Sequence, residues 1–142
     1  MNISKFTQKS VEAVQNCEKL AYEYGNQEIE EEHLLYSLLT IEDSLILKLI
    51  TKMGISGEQF ADEAEAALKK LPKVSGGGQV YLTQDLNKVL IDAEDEAKAM
   101  GDEYVSVEHL FLCLLKEPNR AIKELFLSLI HISEPTRRTP IS

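Results

Sequence analysis

At 142 residues, 44% apolar and 27% charged, the chain has the size and composition of one globular domain with its own core. A formal net charge of −9 argues against a phosphate-backbone partner, which needs clustered Lys and Arg. MNISKFTQKS lacks the apolar core of a signal peptide, no run approaches a membrane span, and the cytoplasm is the expected setting.

Ser4 to Gly25 reads as the first helix, with Thr7 as N-cap, Phe6 placed to staple onto Val11, and Gly25 suited to the left-handed C-terminal position. Val11, Val14, Cys17, Ala21 and Tyr24 make its apolar stripe. Glu30 to Ile41 is a short second helix, central because Leu34, Leu35, Leu38 and Leu39 are so densely apolar. Asp43 to Met53 is a third, with Ile46, Leu49, Ile50 and Met53 inward and Gly54 closing it. Ser56 and Gln59 form a capping-box pattern for a fourth, whose buried face is Phe60, Ala64, Ala67, Leu68 and Leu71.

Pro72 to Tyr81 breaks the helical pattern. Its Gly76-Gly77-Gly78 is a flexible connection and not a phosphate loop, because no Gly-Lys-Ser/Thr follows and no apolar strand precedes it. Thr83 then caps a helix through Met100, with Leu86, Val89, Leu90, Ala93, Ala97 and Met100 on one face and Gly101 at its end. Ser106 caps the next, carrying Leu110, Phe111, Leu114 and Leu115. Asn119 to Phe126 begins another, with Ile122 and Leu125 inward.

The second series repeats the first. Phe6–Leu39 and Leu82–Leu115 align without a gap at an offset of 76, and the shared residues include Thr7/Thr83, Gly25/Gly101, Glu32/Glu108 and His33/His109. That self-similarity points to a duplicated helical unit. After Phe126 the correspondence fails. LSLIHISEPTRRTPIS, from Leu127 to Ser142, shows no helical period, holds two prolines, and resembles the conceptual translation of a sequencing-library adapter. It is set aside, with His131 and Arg137-Arg138.

The titratable residues give weak chemical signals. Cys17 and Cys113 lie on or near apolar helical faces and read as buried free thiols. His33 and His109 are each alone on a helix, which suits hydrogen-bonded packing better than a zinc site. Glu28, Glu30, Glu31 and Glu32 read as a solvated acidic turn. No nucleophile–base–orienter set follows from spacing, and no Walker A pattern is present, so the chain reads as a binding module and not an enzyme.

FTQKSVEAV near the start, Gly then EHLL-x-x-LL in the first unit, and Gly then SVEHL-x-x-x-LL in the second resemble the Clp N-terminal domain. This pair of four-helix Clp repeats stands at the front of AAA+ unfoldases. LPKVSGGGQVYLTQDLNKVL and EAKAMGDEYVSVEHL are most similar to the ClpB, or disaggregase, type. The resemblance implies an all-α pseudo-duplicate: residues 1–71 as the first repeat, 72–81 as the joint, and 82–126 as a second repeat truncated before its last helix, followed by the 127–142 tail.

It further implies a domain that captures unfolded or aggregated polypeptide for threading by the ATPase ring. The full-length parent would be a homohexamer using ATP and Mg and working with the DnaK chaperone, with no nucleic acid or membrane partner. No cofactor or metal is expected in this stretch. Thr7, Asp102 and Glu108 match polar positions important in ClpB relatives, although Thr7 and Glu108 also sit at helix N-termini, where a cap or a dipole complement needs no ligand.

The apolar groove candidates are Leu90, Phe111 and Leu112 with Val80 and Tyr81, each of which also reads as core. Leu112, off the main inward stripe, is the one expected at the surface. The alternative is a ClpC-like docking module for adaptors or phospho-arginine tags. Thr7 with Glu32 in one unit and Thr83 with Glu108 in the other would then read the tag.

Overall fold

The computed structural model describes residues 5–41, 44–74 and 79–133, with side chains up to Leu127. Ser4, Asp43, the Gly76–Gly78 run and the arginines of the tail lie outside the described residues. The elements in order are α1 (Gln8–Glu23), β1 (Glu28–Ile29), α2 (Glu31–Thr40), α3 (Leu45–Lys52), α4 (Gly57–Lys69), β2 (Tyr81–Leu82), α5 (Gln84–Ala99), α6 (Val107–Lys116) and α7 (Arg120–Ser133). The fold is all-α apart from one short parallel pairing.

The helices begin where side chains meet their open N–H groups. Thr7, Ser44, Ser56 and Thr83 accept hydrogen bonds from Ser10, Leu47, Gln59 and Leu86 amides respectively. Each such cap stabilises by about 1 kcal/mol. At α2 and α6 the capping device is a histidine: the Glu30 amide donates to His33 Nδ1 at 2.8 Å, and the Ser106 amide to His109 Nδ1 at 2.9 Å. Gly25 and Gly101 end α1 and α5 at φ 74° and 77°, a region that a side chain disfavours.

α2 and α6 form the centre. Leu34, Leu35, Leu38, Leu110 and Leu114 have no exposed surface. α1 lies across α2 on small residues: its buried face is Ser10, Ala13, Cys17, Leu20 and Ala21. Of the expected stripe, Cys17 and Ala21 are buried, whereas Val11, Val14 and Tyr24 are only half-buried. Small residues let the helices approach closely enough for Ser37 Oγ to donate to Ala13 O at 2.7 Å.

Four other inward placements fail. Leu49 and Met53 of the α3 region are 37% and 68% exposed, because a helix this short turns only Ile46 and Ile50 into the core. Met100 and Leu115, at the ends of α5 and α6, are 54% and 44% exposed. Ala67 and Leu71 are half-buried.

The two units exchange strands. β1 of the first pairs in parallel with β2 of the joint, matching Glu28 to Tyr81 and Ile29 to Leu82. Phe6 forms a parallel bridge with Val105. Subtracting 76 from Leu82 gives Phe6, and from Val105 gives Ile29, so one pairing is the internal copy of the other.

The expected break after Phe126 does not occur, because α7 continues to Ser133. The three- and four-residue spacing of Ile122, Leu125 and Phe126 continues at Leu129 and Ile130, a helical period that the sequence reading missed.

Candidate functional site

The start of α1 is tied to Val105 of the second unit. The Thr7 amide donates to Val105 O at 2.9 Å, and the Val105 amide to Lys5 O at 2.8 Å. Ser10 Oγ donates to the same Val105 carbonyl at 2.7 Å. Val105 lies three residues after Asp102 and three before Glu108, which is in the first turn of α6. Thr7 is half-buried, and Asp102 and Glu108 are exposed.

Asp102 is fixed by a buried histidine. Because His109 Nδ1 accepts the Ser106 amide, Nε2 carries the proton and donates to Asp102 Oδ2 at 2.9 Å. His33 does the same toward Asn26 Oδ1 at 2.9 Å. Burial presses the His33 ring down to about 4, so it stays neutral near neutral pH. Both histidines are cap and clamp residues, as their isolation on separate helices suggests.

The within-unit pairing of Thr7 with Glu32 and Thr83 with Glu108 is overturned. His33, in the first turn of α2, bonds Asn26 just past the end of α1, and Ser37 bonds Ala13 in the middle of α1, so α2 runs back along α1 and Glu32 lies away from Thr7. The strand exchange bonds Thr7 to Val105, three residues from Glu108 in sequence. It bonds the Thr83 amide to Ile29 O at 3.2 Å, three residues from Glu32 in sequence.

The solvated acidic turn holds for Glu28, which is exposed, and fails for Glu31 and Glu32. Glu31 and Glu32 are 2% and 4% exposed. Glu31 Oε1 accepts the Asn119 amide at 3.0 Å, and Glu32 Oε1 accepts Asn119 Nδ2 at 2.9 Å. Asn119 Oδ1 in turn accepts the Ile122 amide, capping α7. Burial, then neighbouring Glu32, Glu28 and Asp85 charges, pushes Glu30 up to about 7. Burial raises Glu31 to about 7 against the opposing Asn119 hydrogen bond.

The expected groove does not assemble. Leu90 is 1% exposed, on the α5 stripe that packs against α6. Phe111 is 9% exposed, its ring edge-on to Phe126 at 6.5 Å, and Phe126 meets Phe60 at 5.7 Å. Val80 and Leu112 are half-buried. Tyr81 is 51% exposed and donates to Glu28 Oε2 at 3.1 Å. Sequence reading also misses an open cleft beside Asp102, lined by Lys5, Lys98 and Glu103 among others, because its walls come from distant parts of the chain.

Cys17 and Cys113 are buried free thiols; burial holds Cys17 far above the usual thiol range and Cys113 up to about 11. Among the described residues no group of three or more His, Cys, Asp or Glu is arranged to hold a metal ion, and no helix is long and apolar enough to cross a membrane.

The chain is 43% identical over 126 residues to the chaperone protein ClpB of Nitratidesulfovibrio vulgaris, an alignment covering 86% of this chain and 15% of that protein. It thus spans about a seventh of that relative's length. Its fold matches the Hsp104 N-terminal domain from Candida albicans with a TM-score of 0.76 at 21% identity, covering 95% of this chain and 92% of that one. It also matches the ClpV N-domain in a complex with a VipB peptide, with a TM-score of 0.70 at 17% identity, covering 93% and 84%. The Clp repeat (R) N-terminal domain matches residues 5–129. That domain is the non-catalytic N-terminal part of Clp ATPases, so this stretch is not the ATPase part of such a protein. The crossed repeats, the histidine-capped central helices and the match over most of the chain agree: it belongs to the Clp repeat N-terminal domain family.

Proposed function

We propose that the chain is the polypeptide-capturing N-terminal domain of a ClpB-type chaperone. It receives unfolded or aggregated segments and passes them to an AAA+ ring. What supports it is the bond between Thr7 and Val105 across the two units, with the exposed Asp102 and Glu108 each three residues from Val105 in sequence. The ClpB relative supports the reading, as does a like-folded domain seen in complex with a peptide. In the parent, the ring would be a hexamer using ATP and Mg, working with DnaK in the cytoplasm.

Fluorescence anisotropy of labelled casein against the 142-residue chain tests the reading. Saturable binding, weakened several-fold in Glu108→Gln and Thr7→Val, is the expected result; no binding by the wild type would overturn it. The second reading is docking of adaptors or phospho-arginine, favoured by fold neighbours that are ClpV and ClpD N-domains. The burial of Glu32 under Asn119 removes one of its four residues from the surface. Amide shifts with free phospho-arginine near Thr7 and Glu108 would move the assignment to it.

A further inference from the structure

The first unit holds the start of α7 through one residue. Glu31 Oε1 accepts the Asn119 backbone amide at 3.0 Å, and Glu32 Oε1 accepts its side-chain N–H at 2.9 Å. Asn119 Oδ1 in turn accepts the Ile122 amide, and its carbonyl accepts the Lys123 amide, so the first turn of α7 hangs on the same residue. Further along, α7 is held by apolar contact: Ile122 is fully buried, and Phe126 sits edge-on to both Phe60 and Phe111.

The grip is made by carboxylates in a costly place. Glu31 and Glu32 are both buried. Glu31 faces Asp85 in the first turn of α5, Glu32 on its own helix, and Glu117 in the loop before Asn119. Glu30, at the N-cap, meets Glu32, Glu28 and Asp85. The nearby cations are engaged elsewhere. Lys88 of α5 pairs with Glu117 at 3.0 Å, and Arg120 of α7 with Glu124 at 3.7 Å. On the α4 side Lys70 lines a cleft with Glu32, and Glu63 and Glu124 line it too. His33 is turned to Asn26 and stays neutral near neutral pH.

A charge on Glu31 can be relieved by unfolding the domain or by moving Asn119 aside so that water reaches the carboxylate. The second costs less. Residues 117–119 lie between α6 and α7 and are only half-buried, so their displacement gives up the clasp and one helix cap but not the core.

We propose that Glu31, Glu32 and Asn119 form a pH-sensitive latch, closed while Glu31 carries a proton and opening at the first turn of α7 as Glu31 ionises. The device belongs to the first unit, since the repeat partner of Glu31 is Val107, which has no proton to lose. It is independent of the polypeptide-capture reading.

Burial is the main cause that pushes the closed Glu31 up to about 7. Once open to water, the carboxyl returns to the ordinary range, about 4.3. The closed form therefore binds the proton more tightly. Its advantage is complete below about pH 4.3 and is lost as pH rises toward 7.

The test is hydrogen–deuterium exchange of the 142-residue chain, read by mass spectrometry at about pH 5.5 and about pH 8, with labelling times scaled to the intrinsic exchange rate. Protection of residues 119–126 should fall about ten-fold between the two, while that of residues 34–40 in α2 should change by less than about two-fold. Glu31→Gln keeps an acceptor for the Asn119 amide and has no proton to lose, so its fall at 119–126 should shrink to about two-fold or less. Glu30→Gln, at a residue with no bond to Asn119, should keep most of the fall.

Equal protection of 119–126 at the two pH values would overturn the proposal. A fall shared equally by 34–40 would also overturn it, because the whole domain would then be opening. So would an unchanged fall in Glu31→Gln, or its disappearance in Glu30→Gln, which would place the titration on another group.

Discussion

The two units share a plan, and their differences separate structure from exposure. In the first, the loop after α1 is covered by the joint, and the two carboxylates opening α2 are buried against Asn119. In the second, the corresponding loop carries the half-exposed Asp102, and Glu108 faces solvent. Matching residues therefore do different work. Glu32 is an internal strut holding α7, while its repeat partner Glu108 has no ion pair or hydrogen-bond partner among the described residues. A duplicated motif is evidence about backbone geometry first, and about ligands only where the copy remains uncovered.

The largest expected effect tests the shared plan. Leu34 and Leu110 are repeat partners, both fully buried. Leu34→Ala and Leu110→Ala should each cost about 3–5 kcal/mol in urea unfolding, and a gap above about 2 kcal/mol would break the equivalence.

Asn119→Ala tests the difference. It leaves Glu32 buried without its amide and removes a helix cap, which should cost about 2–3 kcal/mol, whereas Glu108→Ala should stay within about 0.5 kcal/mol.

The third effect is a pH dependence belonging to the first unit. Folded Glu30 and Glu31 titrate near 7, above the unfolded carboxylate range, so the folded state holds their protons where the unfolded state has lost them. Their stabilising share is complete below about pH 4.3 and is lost as pH rises toward 7. His33, lowered to about 4, acts oppositely across the same window but is one group against two. Glu31→Gln should therefore raise the melting temperature at pH 8, by on the order of 1–2 kcal/mol in stability, and change little at pH 4. Its repeat partner, Val107, brings no such term.

The smallest effect sharpens the comparison again. Thr7→Val and Thr83→Val should each lose about 1 kcal/mol of capping, measured by thermal unfolding. Only the first should weaken casein binding.

What sequence reading captures here is local. Thr7, Ser56 and Thr83 as caps, Gly25 and Gly101 as helix ends, and the leucines of α2 and α6 all follow from neighbours within one or two turns. What it misses depends on distance. The burial of Glu31 and Glu32 needs Asn119, more than eighty residues away, and the partner of Thr7 changes because Lys5 and Phe6 cross to Val105. Single bridges and two-residue strands carry no alternation that could signal the crossing. Leu90 and Phe111 are assigned to a groove because apolar character alone cannot tell a covered face from an open one.

The strand exchange also bears on how the chain emerges during synthesis. Lys5 and Phe6 wait for Val105, and Ile29 waits for Leu82, so the first unit cannot complete its own edges when it leaves the ribosome. At about 5–20 residues per second, roughly a hundred residues of translation separate Phe6 from its partner, an interval of several seconds or more. For that interval the first repeat is a nascent segment with an unpaired edge.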